Sequence, residues 1–131
     1  MTDAVTLTIP RGRPFYGVVR LVVGGLALRL DLSYEHLEDL QLALESVLSN
    51  DAYVTSEEVT VELAVQDSTV EVALGPVNGV ELRADLERDE DGIGLRRLLD
   101  TVVSKVEIEQ REGADWVRLE KHFAATERAG R

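Results

Sequence analysis

The sequence predicts an α+β two-layer sandwich, a mainly antiparallel mixed sheet with three helices on one face. Three observations lead there. Five short runs alternate apolar and polar residues at the period of a strand. Three longer segments repeat apolar residues at steps of three and four, the period of a helix. The two kinds follow the order strand, two helices, hairpin, helix, hairpin, which segregates helices onto one side of a sheet.

Val5 to Ile9 (Val-Thr-Leu-Thr-Ile) reads as a strand stopped by Pro10 and Gly12. Pro14 suits a first helical turn, where its missing N–H has no partner to lose. The first helix is expected from about Phe15 to Leu30, with Val18, Leu21, Val22, Leu26 and Leu30 on its core face. Gly24-Gly25 leaves room for a closely packed neighbour. Ser33 is placed to cap the second helix, and Glu35, Glu38 and Asp39 complement its dipole. That helix is expected to reach Asn50. Leu37, Leu40, Leu44, Val47 and Leu48 share its apolar face, opposite Glu38, Asp39, Glu45, Ser46, Ser49 and Asn50.

A loop through Tyr53 precedes two alternating runs, Val59 to Val65 and Val70 to Leu74, joined at Gln66-Asp67-Ser68 as a hairpin. Gly75-Pro76 and Asn78-Gly79 are read as its end. Val80 to Asp91 carries Leu82 and Leu86 one turn apart but closes in a charge run, Glu87 to Asp91, and is read as a loop. Gly92 opens the third helix, with Leu95, Leu98, Leu99, Val102 and Val103 apolar. Val106 to Gln110 and Trp116 to Phe123 form the last hairpin around Glu112-Gly113. The whole chain, 1–131, is read as one domain, ordered from about 5 to 123, with the tail 124–131 frayed.

Composition narrows the chemistry. With no cysteine, disulfides, thiolate metal sites and a cysteine nucleophile are excluded. A net charge of −11 disfavours nucleic acid and anionic lipid as partners and favours solubility or a basic protein partner. The start lacks a signal-peptide pattern, and the run from Val18 to Leu28 is too short and interrupted to span a bilayer. A soluble, cytoplasmic protein is expected. His36 and His122 have no metal-ligand spacing.

Three places could carry function. Ser46 and Asn50 are four residues apart and would share a helix face. Asn50 offers a neutral oxygen ligand for magnesium, and is equally an ordinary residue for a helix end. Gly92 and Gly94 enter a helix, where free N–H groups and the dipole favour phosphate oxygens; Asp91 beside them opposes an anion unless magnesium intervenes. Gly75-Pro76-Val77-Asn78-Gly79 could admit a flat ligand against the sheet, or simply punctuate the strand.

A helix ending in Asn, a hairpin, a glycine turn and a Gly-x-Gly before the next helix together resemble the Bergerat, histidine kinase-like ATPase fold. Within it, the chain is similar to the anti-sigma-factor serine kinases. The likeness runs from about Val5 to Phe123 and is most specific over Val18 to Leu30 and Leu37 to Leu44. It implies ATP and magnesium as cofactors, with Asn50 on the metal and Asn50, Asn78, Gly92 and Gly94 around the nucleotide. It implies a sigma factor or an anti-sigma antagonist protein as partner, held on the first two helices, and leaves a homodimer open.

Two departures count against catalysis. The family's general-base glutamate falls on Ser46, a hydroxyl too weakly basic for that role, and Glu45 is turned about 100° away on the helix. The family's adenine-reading Asp falls on Gly75-Pro76. The expectation is an anti-sigma regulator with a degenerate nucleotide site that acts by binding protein. The alternative is an active serine/threonine kinase that phosphorylates an anti-sigma antagonist.

Overall fold

The computed structural model describes residues 3–88 and 94–123. Along them run β1 (Asp3–Pro10), α1 (Arg13–Leu30), α2 (Tyr34–Leu48), β2 (Glu58–Gln66), β3 (Thr69–Val77), α3 (Gly79–Glu87), α4 (Leu95–Val102), β4 (Lys105–Arg111) and β5 (Ala114–His122). The strands form one sheet in the order β1-β2-β3-β5-β4. Every neighbouring pair is antiparallel, so the sheet is not mixed as the sequence led us to expect.

The register sorts the two faces. Val5, Leu63, Val72, Leu119 and Val106 pair in a row across all five strands and belong to the hydrophobic core or pack against it. The adjacent row, Thr6, Glu62, Ala73, Arg118 and Glu107, lies on the opposite face because side chains alternate along a strand. The helices supply Val19, Val23, Leu40, Leu44, Val47, Leu48, Leu82 and Leu99 to the core. The core is almost wholly aliphatic, as the composition required, with Tyr53 its one buried aromatic among the described residues. No helix among them is long and apolar enough to cross a membrane.

The fold class holds, with four local corrections. First, there are four helices rather than three, because Gly79 to Glu87 forms α3. Asn78 Oδ1 accepts from Glu81 N at 3.2 Å as its N-cap, and Leu82 and Leu86 are buried one turn apart. Burial of those two leucines overrides the weak local signal. Second, β3 continues through Gly75-Pro76 to Val77 instead of ending at Leu74.

Third, α1 is rotated from its expected setting. Val19, Val23 and Ala27 are its buried residues, while Val22, Leu26 and Leu30 flank them and Val18 and Leu21 face outward. A side chain at Gly24 or Gly25 would meet nothing within 4 Å, so those glycines accommodate no close neighbour. Fourth, α2 starts at Tyr34 and ends at Leu48. Ser33 caps its start as expected, its Oγ accepting from His36 N at 3.1 Å. Its apolar face is also as expected, with Leu40, Leu44, Val47 and Leu48 buried. Asn50, however, lies beyond the helix.

Candidate functional site

The end of α2 decides the geometry of the expected nucleotide site. Ser49 N–H and Ser49 Oγ both donate to Glu45 O, which closes the last turn. Asn50 then turns the chain: its backbone oxygen accepts from Tyr53 N at 3.0 Å and Val54 N at 3.2 Å, and its side-chain Oδ1 accepts from Ala52 N at 2.8 Å. This is an Asx turn, in which the side chain replaces a backbone acceptor. Tyr53 and Val54 are drawn into the core by the same turn.

Ser46 remains on α2, half-buried, and its Oγ donates to Ala43 O at 2.7 Å. With Asn50 off the helix, the two residues do not share a helix face as their spacing predicted. Asn78 is the N-cap of α3, and its N–H donates to Tyr53 O at 2.7 Å. The loop after α2 and the start of α3 therefore meet directly, bringing Asn50 and Asn78 onto the same end of the sheet. Gly94 is the N-cap of α4 with an extended backbone, and its oxygen accepts from Leu98 N at 3.2 Å. A Cβ there would lie 3.5 Å from Arg88 O, an ordinary contact, so this backbone makes no demand for glycine. Gly92 and Asp91 lie outside the described residues.

The segment from Gly75 in β3 to Gly79 in α3 is close-packed, but by the chain itself. A Cβ on Gly75 would come within 2.5 Å of the Trp116 ring, and one on Gly79 within 2.1 Å of Asp115 Oδ2. The Arg111 guanidinium lies 4.5 Å from the Trp116 ring centroid, and its Nη1 continues to Glu62 Oε1 at 2.7 Å. Trp116 and Arg111 thus lie over the strand where a flat ligand was envisaged.

Tyr53 is the residue the sequence reading passed over. Its hydroxyl donates to Asp85 Oδ2 at 2.5 Å, and Arg88 Nη1 holds the other carboxylate oxygen at 2.9 Å. Burial first, and then the bond to Asp85, push the phenol well above its ordinary pKa of 10.0. The available signal was a single aromatic in a polar loop, Asp51 to Glu57. Among the described residues no cluster of three or more His, Asp or Glu is placed to hold a metal ion.

A second surface lies on α1 and α2. Leu21 and Leu28 are 76% and 83% exposed, and Val18 lies on the same side of α1. Between α1 and α2, at Arg20, a cleft of about 240 Å³ is lined by Arg20, Glu38, Asp39, Gln41, Leu42 and Glu45. Arg20 pairs with Glu45 and donates to Gln41 Oε1 at 3.1 Å, while Gln41 Nε2 donates back to Arg20 O at 3.3 Å. Three carboxylates line the cleft with Arg20, and Lys121 holds one of them, Asp39, at 2.9 Å, which leaves the cleft mildly acidic. The sequence signal for this surface was a first helix apolar around more of its circumference than a single core face needs.

Comparison with known proteins follows the same outline. No family model matches the chain. It is 28% identical to serine-protein kinase RsbW of Halalkalibacterium halodurans over 130 residues, 85% of this chain and 78% of that protein. It is 33% identical to serine-protein kinase RsbW of Listeria monocytogenes over 99 residues, spanning 72% of this chain and 61% of that protein. In three dimensions it is similar to the crystal structure of the RsbU and RsbW domains of Rv1364c from Mycobacterium tuberculosis. That match has a TM-score of 0.67 at 15% identity, covers 92% of this chain and 32% of the other, and speaks for the fold alone.

Proposed function

We propose that the chain is a divergent member of the anti-sigma-factor serine kinase family that acts in the cytoplasm by binding a sigma factor or its antagonist, with little or no handling of nucleotide. The observation that carries the binding role is the α1–α2 surface. Large apolar side chains at Leu21 and Leu28 stand in solvent on α1, whose Arg20 lines the mildly acidic cleft against α2, so the surface offers both apolar and charged contacts to a partner. A partner segment that offers apolar and basic side chains together fits it.

The donor set argues against a magnesium–nucleotide complex as the working state. Magnesium needs oxygen ligands in near-octahedral array. Asn50 Oδ1 is engaged by Ala52 N–H, Asn78 Oδ1 by Glu81 N–H, and Ser46 offers no carboxylate. At Gly75, where the family carries an acid, any side chain meets the Trp116 ring. These residues as arranged do not fit the group.

The second reading, an active kinase on an antagonist protein, is favoured by the name serine-protein kinase that the relatives carry. One experiment separates the two. The protein is purified from its native cells with its partner, and the recovery is repeated with Leu21→Glu and with Asn50→Ala. We expect Leu21→Glu to lose the partner and Asn50→Ala to retain it, with or without ATP depletion. Partner loss on Asn50→Ala, reproduced by ATP depletion, together with transfer of radiolabelled phosphate to that partner, contradicts the proposal and supports the kinase.

A further inference from the structure

The sheet has two edges, and β4 is the one beside α4, away from α1 and β1. It pairs only with β5, so the backbone groups on its other side have no strand partner among the described residues. An unpaired edge of seven residues is a template for another strand. Side chains on this strand divide cleanly. Glu107 and Glu109 point to the helix-free face, where Arg118 and Arg111 hold them. Val106 and Ile108 point the other way, only half-buried, into a groove of about 140 Å³ completed by Leu86, Arg83, Glu87 and Arg96.

The charge of that groove is unlike the rest of the chain. In a protein of net charge −11, two guanidiniums flank it against one carboxylate. Arg83 has no ion pair among the described residues, and Arg96 reaches only Asp100 of its own helix at 3.5 Å. Both arginines are exposed, as is Glu87.

We propose that the β4 edge is a second docking site, taking an extended acidic peptide segment of a partner protein as an added antiparallel or parallel strand. Its backbone completes the ladder on β4. Its alternate apolar side chains enter the groove over Val106, Ile108 and Leu86. Its carboxylates on the same side meet Arg83 and Arg96. Backbone pairing supplies affinity in such strand addition and the side-chain groove supplies selectivity. The site is independent of the α1–α2 surface, so either can fail while the other stands.

The test uses the full chain and a labelled synthetic peptide of about nine residues, long enough to cover β4, with Asp at its first and last positions, Val at the third, fifth and seventh, and Thr between them, so that Asp and Val share the face turned to the groove. A matched peptide with Lys in place of Asp is the control. Fluorescence anisotropy is expected to show saturable, salt-weakened binding of the acidic peptide only. Arg83→Glu and Arg96→Glu, both surface changes, are each expected to weaken it by about tenfold or more, a loss of a charge-assisted contact plus added repulsion. Hydrogen exchange with bound peptide is expected to slow within 105–111. Equal binding of the lysine peptide, indifference to both Arg changes, absence of saturable binding, or protection confined to another segment each overturns the proposal. So does a sedimentation result in which two copies pair through β4 and exclude the peptide.

Discussion

Tyr53 is the residue on which the expected nucleotide end of the molecule turns. Its backbone oxygen accepts from the Asn78 N–H and its hydroxyl donates to Asp85, so one residue, through main chain and side chain, ties the loop after α2 to both ends of α3. Tyr53→Phe is expected to destabilise the protein by about 1 kcal/mol, the usual net value of a hydrogen bond, rising toward 2–3 because the acceptor is charged. Its pH dependence has a definite sign. The folded phenol titrates above its ordinary 10.0. The stability it contributes is therefore complete below that value and declines as pH rises past it toward the raised folded value, because the unfolded phenol ionises first. Urea unfolding at a series of alkaline pH values should show that decline in the parent and less of it in Tyr53→Phe. Parallel curves would remove Tyr53 as its source.

At the scale of elements, β3 is shaped by what lies over it. The strand continues through the expected break at Gly75 with a register shift against β5 between Leu74 and Val77, and at Gly75 the Trp116 ring of β5 fills the space of a Cβ, with Arg111 above it. Gly75→Ala should destabilise the fold by about 1–3 kcal/mol through overpacking. Measured urea midpoints within error of the parent would mean that the ring moves aside freely. The same packing makes an adenine-reading acid at this position costly, so Gly75→Asp is not expected to confer ATP binding. The α3 and α4 pair teaches a related lesson about sequence signals. The α4 core positions, Leu99 and Val102, were legible from their spacing. Helix α3 was not, because its two buried leucines sit in a short, highly charged segment whose helicity depends on burial against the sheet and on the Asn78 cap.

For the whole molecule, the order of elements, both hairpins and the α2 core face could be read directly, since each rests on a period that the sheet and core simply select. The setting of α1 could not be read. Apolar residues lie around much of its circumference, and only packing against α2 and β1 chooses Val19, Val23 and Ala27 over Val18 and Leu21. The candidate site was half legible. Ser46, Asn50, Asn78 and Gly94 were located by their place in the family's order of motifs, but what their side chains bond to depends on where α2 stops. On an α2 one turn longer, Asn50 would share a face with Ser46 as the spacing predicts; in its Asx turn its Oδ1 accepts from Ala52 N–H instead. The outcome is an α+β sandwich with an exposed α1–α2 surface, in which the Asn50 and Asn78 side chains serve as local caps.

Titration of the purified chain with a fluorescent ATP analogue in the presence of magnesium tests that account most directly. No saturable, magnesium-dependent binding is expected in the micromolar range, and Asn50→Ala should leave the titration unchanged. Micromolar binding that requires magnesium and is lost in Asn50→Ala would contradict it, because Asn50 would then be a ligand rather than a cap.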